Sequence, residues 1–115
     1  MYSICKIFSF SASHILEGLP EGHQCSRLHG HNYKVEIILS KNDLDNGMVE
    51  DFGNLSTLKN FIKNKFDHQH LNDFILQPTA EHIAKYIYDW CKIKWDFIHS
   101  VKVWETDKCW GEYKE

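Results

Sequence analysis

The sequence predicts an α+β domain in which a four-stranded antiparallel sheet carries two helices on one face. Two observations support this fold class. Segments near both ends of the chain alternate apolar and polar residues, as strands do, and two segments between them repeat apolar residues at helical spacing. The chain has 115 residues and shows no linker or repeat, so residues 1–115 are predicted to form a single domain.

The first two strands are predicted at 3–13 and 28–40, with a loop over 15–27 between them. Side chains on a strand alternate between its two faces, so residues of one parity share a face. An antiparallel hairpin of these strands would therefore place one mostly apolar face against the core. The residues on that face are Phe8, Phe10, Ala12 and His14 on the first strand, and His29, His31, Tyr33, Val35, Ile37 and Leu39 on the second.

Two helices follow the hairpin. The first is indicated by an apolar stripe at helical spacing between Leu55 and Phe66. The second is predicted to begin after Pro78, with Thr79 as its N-cap, and to reach about Trp95. The third strand carries Val101, Val103 and Glu105 on one face, and the fourth covers residues 109–113. Because four strands leave two open edges, we expect sheet edges to pair between subunits.

Composition excludes several classes of function. The net charge of -3 and the pI of about 6.2 do not favour binding to nucleic acid or to a membrane surface. No apolar run has spanning length, and the N-terminus is predicted to be a strand and not a signal peptide. The four cysteines are far apart, which favours reduced thiols and a cytoplasmic location over a disulfide framework.

Three histidines are candidates for one metal site. His14 ends the first predicted strand, while His29 and His31 begin the second. An antiparallel hairpin would bring all three to the same end of the sheet, on one face. Three imidazoles with an open fourth position are typical of catalytic zinc. The alternative is that His29 and His31 are ordinary histidines at a strand end.

Six short motifs along the chain carry a resemblance to a known family. They are Ser11-Ala12-Ser13-His14, Cys25-Ser26-Arg27-Leu28-His29-Gly30-His31, Gly47-Met48-Val49-Glu50-Asp51-Phe52, Asp67-His68-Gln69-His70-Leu71-Asn72-Asp73, Pro78-Thr79-Ala80-Glu81 and Trp104-Glu105-Thr106. In this order they resemble the 6-pyruvoyltetrahydropterin synthase family nearly end to end. The short chain and the stretch Pro20-Glu21-Gly22-His23 before Cys25 are most similar to its bacterial branch, 6-carboxytetrahydropterin synthase of queuosine biosynthesis.

The resemblance implies a fold, an assembly and a reaction. The fold is the tunnelling fold, in which subunits join their sheets into a barrel, usually as a homohexamer of two trimers with active sites between subunits. The substrate is 7,8-dihydroneopterin triphosphate. The carboxytetrahydropterin branch is a zinc-dependent lyase that releases acetaldehyde and triphosphate. The resemblance also places Zn²⁺ on His14, His29 and His31.

The resemblance further implies catalytic roles for Cys25, as the base, and for Asp67 and His68, which complete a proton relay. A thiol removes a proton only as the thiolate, and an imidazole can pass protons near neutral pH. The alternatives are that Cys25 is a small buried hydrophobe and that Asp67 and His68 cap the turn after the first helix. His70 lies outside the family's catalytic pair and is expected to be structural or peripheral.

Three further residues are candidates for substrate binding. Glu105 shares a face with apolar side chains, and a carboxylate there needs a partner. That partner is either a salt bridge between strands, solvent at an exposed strand end, or the paired N–H and amino groups of a pterin, as the resemblance implies. Thr79 matches a pterin-contacting threonine and also has the position of a helix cap. Arg27, the single arginine, suits phosphate or carboxylate, or a structural salt bridge.

Two other functions remain open from the sequence. One is a related enzyme that can share the metal and the base, either the pyruvoyl branch of the same family or a folate-pathway relative that cleaves the same side chain differently. The other is a small zinc-binding interaction module without catalysis. Cys25 and the Asp67-His68 pair argue against the second, because structural zinc normally has four protein ligands.

Overall fold

The computed structural model describes residues 1–115 and contains five strands and two α-helices. The α+β class and both predicted helices are confirmed. Short 3-10 turns precede β2, α1 and α2. The strands are β1 (Tyr2–His14), β2 (His29–Lys41), β3 (Gln69–His70), β4 (Ile98–Thr106) and β5 (Cys109–Tyr113), and the helices are α1 (Ser56–Lys65) and α2 (Ala80–Lys94).

The prediction of a four-stranded antiparallel sheet was wrong, because the sheet has five strands in the order β3-β1-β2-β4-β5. The added strand, β3, runs parallel to β1 and pairs Gln69 with Ala12 and His70 with Ser13. A strand of two residues shows no alternation, so the sequence contains no periodic signal for it. The other four strands are antiparallel, as predicted.

The hairpin of β1 and β2 is confirmed, and it positions the candidate metal ligands. Its register runs without interruption from Tyr2 opposite Lys41 to His14 opposite His29. Ala12 lies opposite His31, so His14, His29 and His31 share one end of the hairpin. The predicted parity is therefore what brings the three imidazoles together.

One hydrophobic core lies between the sheet and both helices. The face of β2 that was predicted to be apolar is fully buried at Val35, Ile37 and Leu39. Ile62 of α1 and Ile87 of α2 belong to the same core. Both helices therefore pack on one face of the sheet, as predicted. Neither is long and apolar enough to cross a membrane.

Close packing fixes the start of α2 beside the sheet. A Cβ atom at Gly111 of β5 would lie 2.9 Å from the backbone nitrogen of Glu81, so only glycine allows this approach. The hydroxyl oxygen of Thr79 accepts a hydrogen bond from the backbone amide of His82 at 3.2 Å. Its predicted role as the N-cap of α2 is confirmed. The start of α2 is thereby held against β5.

Candidate metal centre and active site

Three imidazole nitrogens converge at the end of the β1–β2 hairpin. The potential ligand atoms of His14, His29 and His31 all lie within 4.8 Å of one another. The Nε2 atoms of His14 and His29 are 2.9 Å apart. His14 is completely buried, whereas His29 and His31 are partly exposed. Solvent can therefore reach the cluster through His29 and His31.

Backbone carbonyls orient two of the three rings. His14 donates from Nδ1 to the carbonyl oxygen of Pro78 at 2.7 Å, and His29 donates from Nδ1 to that of Arg27 at 2.7 Å. These bonds fix the tautomer in which Nε2 keeps its lone pair, which is how metal-binding histidines are normally held. The residues present thus fit a metal ion, and the three-nitrogen donor set is typical of zinc with an open position.

Burial favours the neutral form of His14 and His31. Desolvation lowers the pKa of His14, and the hydrogen bond to Pro78 only partly opposes it. Desolvation also lowers the pKa of His31, although the negative charge of Glu105 acts in the opposite direction. A neutral imidazole is the form that binds metal, so the electrostatics of the cluster favour ligation near neutral pH.

Glu105 lies against this cluster. Its Oε2 atom is 3.8 Å from Nε2 of His14 and 3.9 Å from Nε2 of His31. The side chain is 27% exposed and shares a face of β4 with the buried Val101 and Val103, as predicted. At these distances the carboxylate makes no hydrogen bond to either ring, and its partial exposure leaves it accessible to a ligand.

Asp67 and His68 form a hydrogen-bonded pair at the edge of β1. His68 donates from Nδ1 to Oδ2 of Asp67 at 2.9 Å, while Oδ1 of Asp67 accepts from the amide of Ser11 at 2.9 Å. The Ser11 bond, followed by the His68 bond, lowers the pKa of Asp67. The carboxylate thus stays ionised and fixes the ring. The simpler interpretation, a cap for the preceding turn, does not describe these contacts.

The backbone of His68 is held in an unusual conformation. Its φ is 59°, in the left-handed region that non-glycine residues rarely adopt. The amide of His68 donates to the carbonyl oxygen of Ser11 at 2.6 Å, which offsets this strain. The ring itself is 83% exposed. The fold therefore presents an oriented but accessible imidazole.

A groove of about 600 Å³ lies beside the Asp67–His68 pair. Its walls include Ser11, Ser13 and Asn32 of the β1–β2 hairpin, the exposed ring of His68, and His70 of β3. His70 is bonded through Nδ1 to the Ser13 hydroxyl at 3.0 Å, which agrees with the structural role expected for it. Ser11, Ser13 and Asn32 alternate with Ala12, His14 and His31 along the strands, so the groove lies on the face of the hairpin opposite to the imidazole cluster.

Cys25 does not join this groove within one chain. It lies half-buried in the 3-10 turn Gln24–Ser26, where its amide donates to Nδ1 of His23 at 3.1 Å. Its carbonyl oxygen accepts from the amide of Leu16 at 3.1 Å, which ties the loop to the end of β1. No hydrogen bond links Cys25 to Asp67 or His68. The structure therefore brings the predicted metal ligands together, but not all the predicted catalytic residues.

Two supporting residues carried no assigned role in the sequence analysis. Asn72 receives a hydrogen bond from the amide of Ile15 at 2.9 Å and donates to its carbonyl oxygen at 2.8 Å. Gln77 makes the same double contact with Glu17. Together they hold the chain immediately after His14. Asn72 lies in the motif that begins at Asp67, but only the folded chain shows what its side-chain amide contacts.

Comparison with known proteins agrees with this geometry. The family model for 6-pyruvoyl tetrahydropterin synthase matches residues 3–115. The chain belongs to this family. It is 32% identical over 145 residues to the 6-carboxy-5,6,7,8-tetrahydropterin synthase of Haemophilus influenzae, covering 100% of both proteins. It is 38% identical over 117 residues to the Synechocystis protein of the same name, covering 92% of this chain and 88% of that protein.

Solved structures of the family have the same fold. The 6-pyruvoyl tetrahydropterin synthase of Caenorhabditis elegans superposes with a TM-score of 0.84 at 27% identity, covering 99% of this chain and 95% of that one. An uncharacterized protein from Wolinella succinogenes gives a TM-score of 0.89 at 22% identity, covering 99% and 98%. The predicted family resemblance and the prediction of an enzyme are confirmed.

Proposed function

We propose that this chain is a zinc-dependent lyase that converts 7,8-dihydroneopterin triphosphate to 6-carboxy-5,6,7,8-tetrahydropterin, with release of acetaldehyde and triphosphate. The observation that carries the proposal is the convergence of the imidazole nitrogens of His14, His29 and His31 within 4.8 Å of one another, beside the carboxylate of Glu105. It puts a three-histidine centre and a carboxylate that can anchor a pterin within reach of one substrate. The names of the bacterial relatives support this branch of the family.

The oxygen balance of this reaction requires water. Loss of triphosphate leaves two oxygens on the three-carbon side chain of the substrate, whereas a carboxylate and acetaldehyde together carry three. One water is therefore consumed for each turnover. The partly exposed groove beside His68 allows water to enter.

His14, His29 and His31 would hold the zinc ion. Zinc in such a site supplies Lewis-acid chemistry, which makes protons next to the chelated side-chain oxygens easier to remove. The hydrogen bonds from Nδ1 of His14 and His29 to backbone carbonyls keep two of these ligands in place without a metal.

The proton transfers are assigned to Cys25, Asp67 and His68. Nδ1 of His68 is engaged by Asp67, so Nε2 is the nitrogen that remains to exchange protons with substrate. The Asp67 carboxylate stabilises the imidazolium that forms. Cys25, as a thiolate, is proposed to remove the first proton from the side chain of the substrate.

Substrate recognition is assigned to Glu105, Thr79 and Arg27. A pterin presents an N–H and an amino group side by side, and a carboxylate accepts from both. Binding would give Glu105 two charge-assisted hydrogen bonds, where its carboxylate now lies 3.8 and 3.9 Å from the rings of His14 and His31. Thr79 keeps its capping role and is proposed to contact the pterin as well. Arg27 is exposed and makes no ion pair, so its guanidinium is available for phosphate.

We further propose that the active form is a homo-oligomer, most simply the family's hexamer, in which sheets join into a barrel and a neighbouring subunit completes each site. Two features support this assembly. β3 covers the outer edge of β1 only at Ala12 and Ser13, and β5 forms the opposite edge of the sheet. In addition, Cys25 is not in contact with Asp67 or His68 of its own chain, so a second copy can supply the missing half.

Product analysis tests the reaction. The zinc-loaded chain is incubated with 7,8-dihydroneopterin triphosphate, acetaldehyde is trapped as a hydrazone, and the pterin is identified by mass. Acetaldehyde and carboxytetrahydropterin in equal amounts support the proposal. A pyruvoyl product without acetaldehyde supports the second candidate, 6-pyruvoyltetrahydropterin synthase, which the likeness to the Caenorhabditis elegans structure favours. Tight zinc binding without any turnover would indicate a non-catalytic zinc module.

A further inference from the structure

Tyr33 lies behind the candidate metal centre, where the imidazole cluster meets the hydrophobic core. It follows His31 by two residues on β2, so both side chains point to the same face of the sheet. Its ring stands nearly perpendicular to the rings of His14 and His31, with ring centroids 6.0 and 5.4 Å apart. Only 1% of Tyr33 is exposed, so it is separate from the side chains that a substrate could contact.

The hydroxyl group of Tyr33 is directed at one nitrogen of His14. Its oxygen lies 3.2 Å from Nδ1, and the same Nδ1 lies 2.7 Å from the carbonyl oxygen of Pro78. A carbonyl can only accept, so Nδ1 carries the hydrogen and the hydroxyl oxygen is a second acceptor for it. Such sharing of one N–H between two acceptors is a three-centre hydrogen bond. Two acceptors from different parts of the chain restrict rotation of the ring more than one acceptor would.

This arrangement is unfavourable for the hydroxyl group itself. The contact with His14 is the only hydrogen bond of this hydroxyl within the chain, and it uses the oxygen and not the O–H. Burial raises the pKa of Tyr33, so the proton stays on the oxygen. A buried donor without an acceptor costs free energy that a phenylalanine side chain would not. Stability of the fold therefore does not account for this hydroxyl, whose one partner is a candidate metal ligand.

The ring of Tyr33 is held in place by aromatic packing. It stacks on Phe10, which lies directly opposite on β1, with ring centroids 4.8 Å apart and planes inclined by 16°. Phe10 also packs against Phe66, at a centroid distance of 5.1 Å. The core thus fixes the position of the hydroxyl without a metal ion. Because Tyr33→Phe retains the stacked ring, this substitution isolates the contribution of the hydroxyl.

We propose that Tyr33 is a positioning residue of the metal centre. Its hydroxyl holds the ring of His14 in the orientation that presents Nε2 beside the ligand atoms of His29 and His31. The inference rests on the proposed function only for the identity of the ion as zinc. Groups that orient a metal-binding histidine typically contribute about 10- to 100-fold to metal affinity. Since Pro78 still holds the ring, Tyr33→Phe should bind zinc roughly tenfold more weakly, at the lower end of this range.

The direct test is a competition titration of the full chain with a chromophoric zinc chelator. The matched control is Tyr88→Phe, which removes the hydroxyl of another buried tyrosine, packed against Tyr113 at the other side of the core. Cobalt(II) in place of zinc reports the geometry of the ligands. The visible spectrum of cobalt-loaded Tyr33→Phe should differ from that of wild type, whereas that of Tyr88→Phe should not. Urea unfolding of the zinc-free proteins should show that Tyr33→Phe is about as stable as wild type, because it removes an unpaired donor.

Three outcomes would overturn the inference. The first is wild-type zinc affinity together with an unchanged cobalt spectrum in Tyr33→Phe. The second is an equal loss of zinc affinity in Tyr88→Phe, which would indicate general loosening of the core. The third is a zinc-free Tyr33→Phe that is much less stable than Tyr88→Phe, which would make the hydroxyl a structural group. Weaker zinc binding by Tyr33→Phe, with no turnover by the wild type, would support the positioning role and refute the proposed lyase. Turnover by the wild type, with unchanged zinc affinity in Tyr33→Phe, would do the reverse.

Discussion

His14 and His29 lie directly opposite each other at the last register pair of β1 and β2, and their Nε2 atoms are 2.9 Å apart. Each ring is oriented by a backbone carbonyl, Pro78 for His14 and Arg27 for His29. The centre is therefore organised by the main chain, and substitutions of other side chains in the active site should leave it intact. Zinc should therefore stay bound when Cys25 or Glu105 is replaced.

Removal of either exposed ligand should abolish retention of zinc. His29→Ala or His31→Ala leaves two imidazoles, which hold the ion too weakly to survive dialysis. Elemental analysis of the dialysed variants measures this directly. His99→Ala is the control, because His99 is an exposed histidine of β4 outside the cluster. Undiminished zinc in both ligand variants would rule out the assignment.

Cys25→Ala should preserve the fold and the zinc content but lower turnover by a factor of about 10²–10⁴, the usual contribution of a positioned acid–base group. Steady-state rates of acetaldehyde release provide the measurement. Cys5→Ala serves as the matched control, since Cys5 is an exposed cysteine of β1. Near-normal turnover of Cys25→Ala would show that another group removes the proton.

Glu105→Gln should weaken substrate binding roughly ten- to hundredfold, because a charge-assisted hydrogen bond is lost and an acceptor oxygen becomes a donor. Zinc should remain bound, since the three histidines are unchanged. Equilibrium binding of substrate and zinc analysis of the same sample separate the two effects. Glu112→Gln of β5 is the control for charge. Equal affinity in wild type and Glu105→Gln would contradict the role of this carboxylate as the pterin anchor.

The stabilising effect of Asp67 should depend on pH in a defined direction. Hydrogen bonds from Ser11 and His68 lower its pKa below the ordinary value of 3.8, so folding favours the ionised form. The contribution is present above about pH 3.8 and disappears as the pH falls through the lower pKa of the folded state. Urea unfolding of wild type and Asp67→Asn should therefore differ at neutral pH and converge in acid. A difference that grows toward low pH would contradict this sign.

Shared active sites can be detected by mixing inactive variants. Cys25→Ala and His68→Ala should each be nearly inactive alone. If one subunit supplies Cys25 and its neighbour supplies His68, co-assembled mixtures contain some intact sites, and activity returns. Light scattering should show an oligomer in the same samples. No recovery in mixtures that have exchanged subunits, or full activity of a monomer, would contradict the shared site.

Much of the metal centre could be predicted because it depends on local alternation. The parity of His14, His29 and His31 on two paired strands is readable from the sequence. The strand β3 could not be predicted, because its two residues have no periodicity of their own and pair only where β1 is exposed. The hydrogen bonds from His14 and His29 to the carbonyl oxygens of Pro78 and Arg27 could not be predicted either. Every residue has a backbone carbonyl, so the residue type does not indicate which one is used.

A groove between α1 and the outer edge of β1 shows a second limit of sequence reasoning. Lys59 and Lys63 are recognisable as neighbours on one helix face, but Lys6 joins them only through the packing of α1 against β1. Long-range convergence of this kind follows from tertiary structure and not from spacing. The same is true of Asp67, whose contact with Ser11 spans most of the first half of the chain.

The uninterrupted pairing of β1 with β2 also has a consequence for how the chain folds and binds its metal ion. A slip of one residue in this hairpin would turn Val35 and Ile37 out of the core and, at the same time, turn His29 and His31 away from His14. Misaligned chains would thus lose their packing and their chelating centre in a single error. Zinc binding should therefore stabilise only chains whose hairpin is correctly aligned, because only these chains present the three imidazoles together.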